Sequence, residues 1–167
     1  TSGSWDIAVV PLDGDRKPRV LLGTPFNEYY PALSPDGRWL AYTSDESGQN
    51  EVYVRSFPDG GSKVLVSQTG GSEPVWSRDG RELFYRGFDQ LSTPLVSVTV
   101  ETSPAFAVAK RTPLFDMSEY EAAVPHANYD VTADGGFVMV SQGRLSDMVV
   151  VQNWTEEARR RSSTVAK

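Results

Sequence analysis

The chain has 167 residues, 39% hydrophobic and 23% charged, with a net charge of -6, a balance that belongs to a soluble globular domain and excludes disorder throughout. It contains no cysteine, which excludes disulfides, thiolate nucleophiles and Cys-ligated zinc, and its isolated arginines in an acidic chain offer no basic stripe for a nucleic-acid backbone. No apolar window approaches the roughly 18 residues that a membrane helix needs.

The start, Thr1-Ser2-Gly3-Ser4, lacks a charged and apolar leader pattern, and strand-like sequence begins at once at Trp5, so the N-terminus is expected to be truncated or processed. Strand formers dominate the rest of the chain, with seven Tyr, seven Phe and four Trp, and Gly and Pro punctuate it at short intervals. Residues 5–10 and 19–22 predict two strands that end a preceding sheet. Tyr30 to Ser34 and Trp39 to Tyr42 then flank Ser34-Pro35-Asp36-Gly37-Arg38, followed by an alternating strand from Glu51 to Phe57, the turn Pro58-Asp59-Gly60-Gly61 and a return strand from Lys63 to Val66.

The plan repeats. Ser77-Arg78-Asp79-Gly80-Arg81 and Thr132-Ala133-Asp134-Gly135-Gly136 echo the first turn, at steps of 43 and then 55 positions from Asp36. The first step matches the period of four-stranded propeller blades, and the second requires an insertion, placed around Glu101 to Arg111. Leu95 to Val100 gives a third strand of the second unit, and Pro113 to Phe115 lies near its fourth. The last unit offers 129–131, 137–140 and 148–151.

The expected fold is therefore all-β: a partial β-propeller of four-stranded antiparallel blades, about three blades and about 13 strands, too short to close alone. The units divide as residues 1–25 (end of a preceding blade), 26–68 (full blade), 69–117 (full blade with insertion) and 118–154 (last, incomplete blade). Residues 155–167 form a polar tail, in which Glu156 to Arg161 has the ion-pair spacing of a short helix.

The turns carry structure, not chemistry: Gly tolerates positive φ and the Asp side chain bonds forward to backbone amides. The segment from Leu33 to Tyr42, an aliphatic residue followed by Ser-Pro-Asp-Gly, a basic residue and an aliphatic-Ala-aromatic strand, resembles the TolB-like family of bacterial WD-like propeller repeats. The resemblance runs from about Glu28 to Trp154; the second copy has Arg78 for Pro, and the third lacks both Ser and Pro. The ending from Val149 to Glu157 resembles the C-termini of propellers fused behind bacterial serine/threonine protein kinases or DNA-binding regulators. That resemblance implies the C-terminal sensor or interaction region of a larger signalling protein, in a periplasmic or extracytoplasmic compartment ahead of a cytoplasmic one.

Catalysis is not expected. There is neither a Gly-x-Ser-x-Gly elbow nor a kinase motif, and the one histidine, His126, follows Pro125 in a loop. Sialidase Asp-boxes differ by an extra residue between Asp and Gly. Asp45, Glu46 and Glu51 lack the alternating spacing of a calcium loop, so no metal and no cofactor is expected. Leu33, Leu40, Val75, Trp76, Leu83 and Phe84 are assigned to core, and Tyr29, Tyr30 and Phe88 to a ligand-facing surface. The partner is a protein or small ligand, and the alternative role is a propeller that gates substrate access to a peptidase-like hydrolase. Open blade edges are expected to drive homo-oligomer formation.

Overall fold

A computed structural model describes residues 4–141. They form twelve strands and no helix, so no described helix is long and apolar enough to cross a membrane. The expected strand at 148–151 and the tail with its helix at 156–161 lie outside the described residues.

The strands fall into four antiparallel sheets. β1 (Ile7–Val9) pairs with β2 (Arg19–Leu22); β3 (Glu28–Leu33), β4 (Trp39–Ser44), β5 (Glu51–Ser56) and β6 (Lys63–Leu65) form a four-stranded meander. β7 (Gly71–Trp76), β8 (Glu82–Gly87), β9 (Pro94–Glu101) and β10 (Ala107–Asp116) form a second, and β11 (Tyr129–Val131) pairs with β12 (Phe137–Met139). The chain is an all-β partial propeller, whose four-stranded sheets are its blades.

Adjacent blades bury each other's faces, which is why β4 is buried at all six positions and reads apolar from Trp39 through Tyr42. Trp39 and Ala41 of β4 pack with Leu83 and Tyr85 of β8, whereas Leu40 and Tyr42, pointing the other way, pack with Ile7 and Leu22 of the preceding sheet. Phe84, between Leu83 and Tyr85, faces on to Tyr129, Val131 and Phe137. Period-two alternation thus assigns each strand residue to the blade before or the blade after. Leu33 departs from its expected core place: it ends β3, beyond the covering strands, and is 47% exposed.

Part of the second blade's extra length is strand, while its hairpin tip, 102–106, and the connection 117–128 are loop. The strand part lengthens β9 to eight and β10 to ten residues, and the hairpin tip carries Phe106 back against Trp39 and Trp76, ring centroids 5.5 and 6.2 Å away. Arg111 Nε also donates to the Val66 carbonyl at 2.6 Å, tying this outer hairpin to the preceding blade.

The repeated turns share one bonding plan. Ser34 Oγ donates to Asp36 Oδ1 at 2.6 Å and accepts from the Trp39 amide at 2.9 Å, while the Arg38 amide donates to Asp36 Oδ1 at 3.1 Å. Ser77, Asp79, Arg81 and Glu82 reproduce it at 2.8, 3.1 and 2.9 Å. Gly37 and Gly80 both sit at φ 70°, where a side chain would strain the turn. In the third copy Thr132 bonds to Asp134 and accepts from the Gly136 amide at 2.8 Å, one residue earlier than in the other two.

These bonds hold the Asp36 carboxyl down to about 2, first through Ser34 and then Arg38. A group depressed in the folded state contributes stability that is complete above its unfolded value, near 4, and is lost as pH falls through the folded value. The Asp36 contribution is expected to fade between about pH 4 and pH 2 and, at this solvent-screened site, to be no more than about 1 kcal/mol. Asp36→Asn should flatten that part of the acid unfolding profile; an unchanged slope in urea titrations across the window would contradict the assignment.

Candidate functional site

In each full blade the residue before the proline of the innermost strand bulges. Tyr30 and Glu73, 43 positions apart, stand at φ 55° and 57°, and the ladders slip between Tyr29 and Ala32 and between Ser72 and Val75. Positive φ at a non-glycine costs about 1–3 kcal/mol and persists only where neighbours enforce it. Pro31 and Pro74 lack amide protons and lie on the unpaired edge of their sheets, where a ladder donor is not needed.

The bulges turn both side chains inward. The Tyr30 ring is buried, its hydroxyl donating to the Ala123 carbonyl at 2.8 Å. Burial, then the charge of Glu73, pushes its hydroxyl up to about 12, against the opposing pull of Arg86. Glu73 is fully buried; its Oε1 accepts from Arg86 Nε at 2.7 Å and its Oε2 from the Asn128 amide at 3.2 Å. Arg86 spends its other donors on the carbonyls of Met117, at 3.2 Å, and Glu121, at 2.8 Å. Tyr129 Oη donates to the Glu73 carbonyl at 2.7 Å, and burial pushes that hydroxyl well above its ordinary value. One ion pair therefore fastens the segment between the second blade and β11.

Along the innermost strands β3, β7 and β11 runs a groove of about 870 Å³, closed at one side by Trp5 to Ala8. Tyr29, Pro31, Val75, Arg78, His126 and Asp130 are among its lining side chains. Tyr29 is half-buried and donates to Asn50 Oδ1 at 2.6 Å; burial, then Asp45, raises its hydroxyl despite that bond. His126 and Arg78 are exposed. Ser77 Oγ is committed to its turn, donating to Asp79 and accepting from Glu82.

Of the three residues expected to face a ligand, Tyr29 and Tyr30 border the groove and Phe88 does not. Tyr30 corrects the surface assignment: the bulge rotates its ring into the blade junction, and its hydroxyl is already bonded. Phe88, 39% exposed, lies past the end of β8 against Gly70. Sequence reading missed Glu73 and Arg86. The signal was there: at the places where the first blade has Tyr30 and Thr43, the second has opposite charges.

The carboxylates near Ser47 to Asn50 are occupied within the fold. Asp45 accepts from the Asn27 amide at 2.9 Å and side chain at 2.6 Å, bonds that lower its carboxyl, while Glu51 accepts from Ser67, Gln49 and the Gly70 amide.

No protein-family model matches the chain. Over 90 residues it is 37% identical to "Tricorn protease homolog 1" of Streptomyces coelicolor, a match covering 52% of this chain and 8% of that one. Over 83 residues it is 31% identical to "Tol-Pal system protein TolB" of Anaeromyxobacter dehalogenans, covering 50% and 19%. The chain thus spans a fifth or less of the curated relatives it matches. Among solved structures it is similar to TolB from Acinetobacter baumannii (14% identity, TM-score 0.49, covering 86% of this chain and 44% of that one) and to a protein from Lactobacillus plantarum (20%, 0.49, 87% and 50%).

Proposed function

The chain is a partial β-propeller of TolB-like blades, and on that premise we propose that it is a non-catalytic binding module, whose inner-strand groove receives an extended segment of a partner protein. The groove itself carries this reading: an apolar floor of prolines, Val75 and half-buried Tyr29, with Arg78, His126 and Asp130 placed to orient polar groups. Such a mix of apolar surface and few polar anchors is what recognition sites use. Ser77, the hydroxyl that lines the groove together with His126, is held in its turn by two bonds, which supports binding over turnover. In this reading the module serves as the interaction region of a larger extracytoplasmic signalling protein.

A peptide selected on the chain from a random peptide library is the probe. Tyr29→Ala and His126→Ala are each expected to weaken it about tenfold, or roughly 1.4 kcal/mol, by fluorescence anisotropy, with the peptide recovered intact. Unchanged affinity in both variants, or cleavage of the peptide, would overturn the proposal. A second reading, a propeller that gates substrate access to a peptidase, is supported by the relative named a protease homolog. It shares the groove but predicts that a separate catalytic domain takes the bound peptide.

A further inference from the structure

One connection is held by both full blades. Between β10 and β11 the chain runs through residues 117–128, where the first blade uses only 66–70 to reach β7. The longer connection reaches past the second blade to the first. Tyr30 donates to it twice, through its hydroxyl to the Ala123 carbonyl at 2.8 Å and through its amide to the Pro125 carbonyl at 3.2 Å. That amide is available because the bulge takes Tyr30 out of the ladder between β3 and β4. Glu73, at the same place in the second blade, accepts from the Asn128 amide, and Arg86 ties down the carbonyls of Met117 and Glu121. Two bulges therefore grip one strap, the first blade at 123 and 125 and the second at 128.

Between these grips lie His126 and Ala127, which with Pro125 form part of the groove wall. His126 is exposed, so its place along the groove is set by the backbone on either side of it. Tyr29, which also borders the groove, meets the Tyr30 ring edge to face at 4.9 Å. Tyr30 thus stands behind both side chains tested above for ligand contact, while its own ring is buried and its hydroxyl bonded.

We propose that Tyr30 is the positioning residue of the groove. Resting on the binding role proposed above, its hydroxyl and amide hold the strap so that His126 meets an extended segment lying against Tyr29. The bulge that strains Tyr30 also aims both donors at the strap, a local strain kept where it shapes a site. Tyr30→Phe removes the hydroxyl and leaves the ring and the amide bond, so it loosens the strap without emptying the blade junction. A strap that is in place for only part of the time weakens apparent affinity by that fraction.

The test compares the 167-residue chain with Tyr30→Phe, using the library-selected peptide and the imidazole NMR signal of the chain's single histidine. In the free variant the His126 signal is expected to shift, and amide exchange to quicken at 122–127 with β4 and β5 unchanged. Peptide affinity should fall about fivefold, the scale of one lost hydrogen bond. The same change in a His126→Ala background should have almost no effect, which a general loss of stability would not reproduce. An unmoved imidazole signal with unchanged exchange overturns the proposal whatever the peptide does, and so does an equal loss of affinity in the His126→Ala background. Undiminished affinity in Tyr30→Phe, while Tyr29→Ala and His126→Ala still weaken the peptide, overturns it too and leaves groove binding standing. An unaltered chain that retains no peptide removes groove binding itself, and the positioning role with it.

Discussion

Glu73→Ala is expected to destabilise the chain by about 3–5 kcal/mol, the penalty for leaving one member of a buried ion pair without its partner. Glu73 is fully buried and Arg86 is 3% exposed, so neither charge can turn to water when the other is removed. The loss should be largest locally. Arg86 would keep its bonds to Met117 and Glu121, yet the Asn128 amide would lose its acceptor, and β11 would be held mainly by Tyr129 and apolar packing. The repeat supplies its own control: Glu73→Tyr with Arg86→Thr installs the first blade's residues, and should recover much of the loss because no orphan charge remains. Urea unfolding checks both, and a single-variant loss below about 1 kcal/mol would show that the pair is not buried as described.

Phe84→Ala should cost a similar amount, about 3–5 kcal/mol, through lost burial and the cavity left behind. Phe84 is 1% exposed and meets Phe137 edge to face at 5.0 Å, joining the second blade to the last sheet. The expected result is selective: amide hydrogen exchange should speed up in β11 and β12 ahead of β4 and β5, because the core between the two full blades relies on Trp39, Val52, Val54 and Leu83 instead. Uniform acceleration across all strands would contradict separate cores at successive blade junctions.

Much of this architecture was legible in the sequence, because the signals were periodic. Ser34-Pro35-Asp36-Gly37 and Ser77-Arg78-Asp79-Gly80 fix two hairpins 43 residues apart, and alternation in 51–56 sets the third strand. The third copy was harder to read. Aligned on Asp134-Gly135, Phe137 matches Trp39 and would face the following blade, but the turn is one residue tighter, so Phe137 pairs with Val131 as Leu40 does with Leu33. A slip of one residue reverses every side chain of a strand, and no composition signal marks it.

The candidate site was less legible for a similar reason. Tyr30 reads as a surface aromatic at the start of its strand beside Pro31, and only the bulge reveals that its ring is turned into the blade junction. Tyr29, its neighbour, is half-buried and borders the groove. Glu73 and Arg86 are 13 positions apart on different strands, and their meeting depends on the register of β7 with β8, shifted by the corresponding bulge of the second blade.

The most direct test of groove binding is a hydrogen-exchange footprint of the chain bound to the library-selected peptide. Binding along the innermost strands predicts slowed exchange at residues 28–35, 74–78 and 125–131, with β6 and β10 unchanged. Protection confined to the outer strands, or no peptide retained by the chain at all, would contradict it.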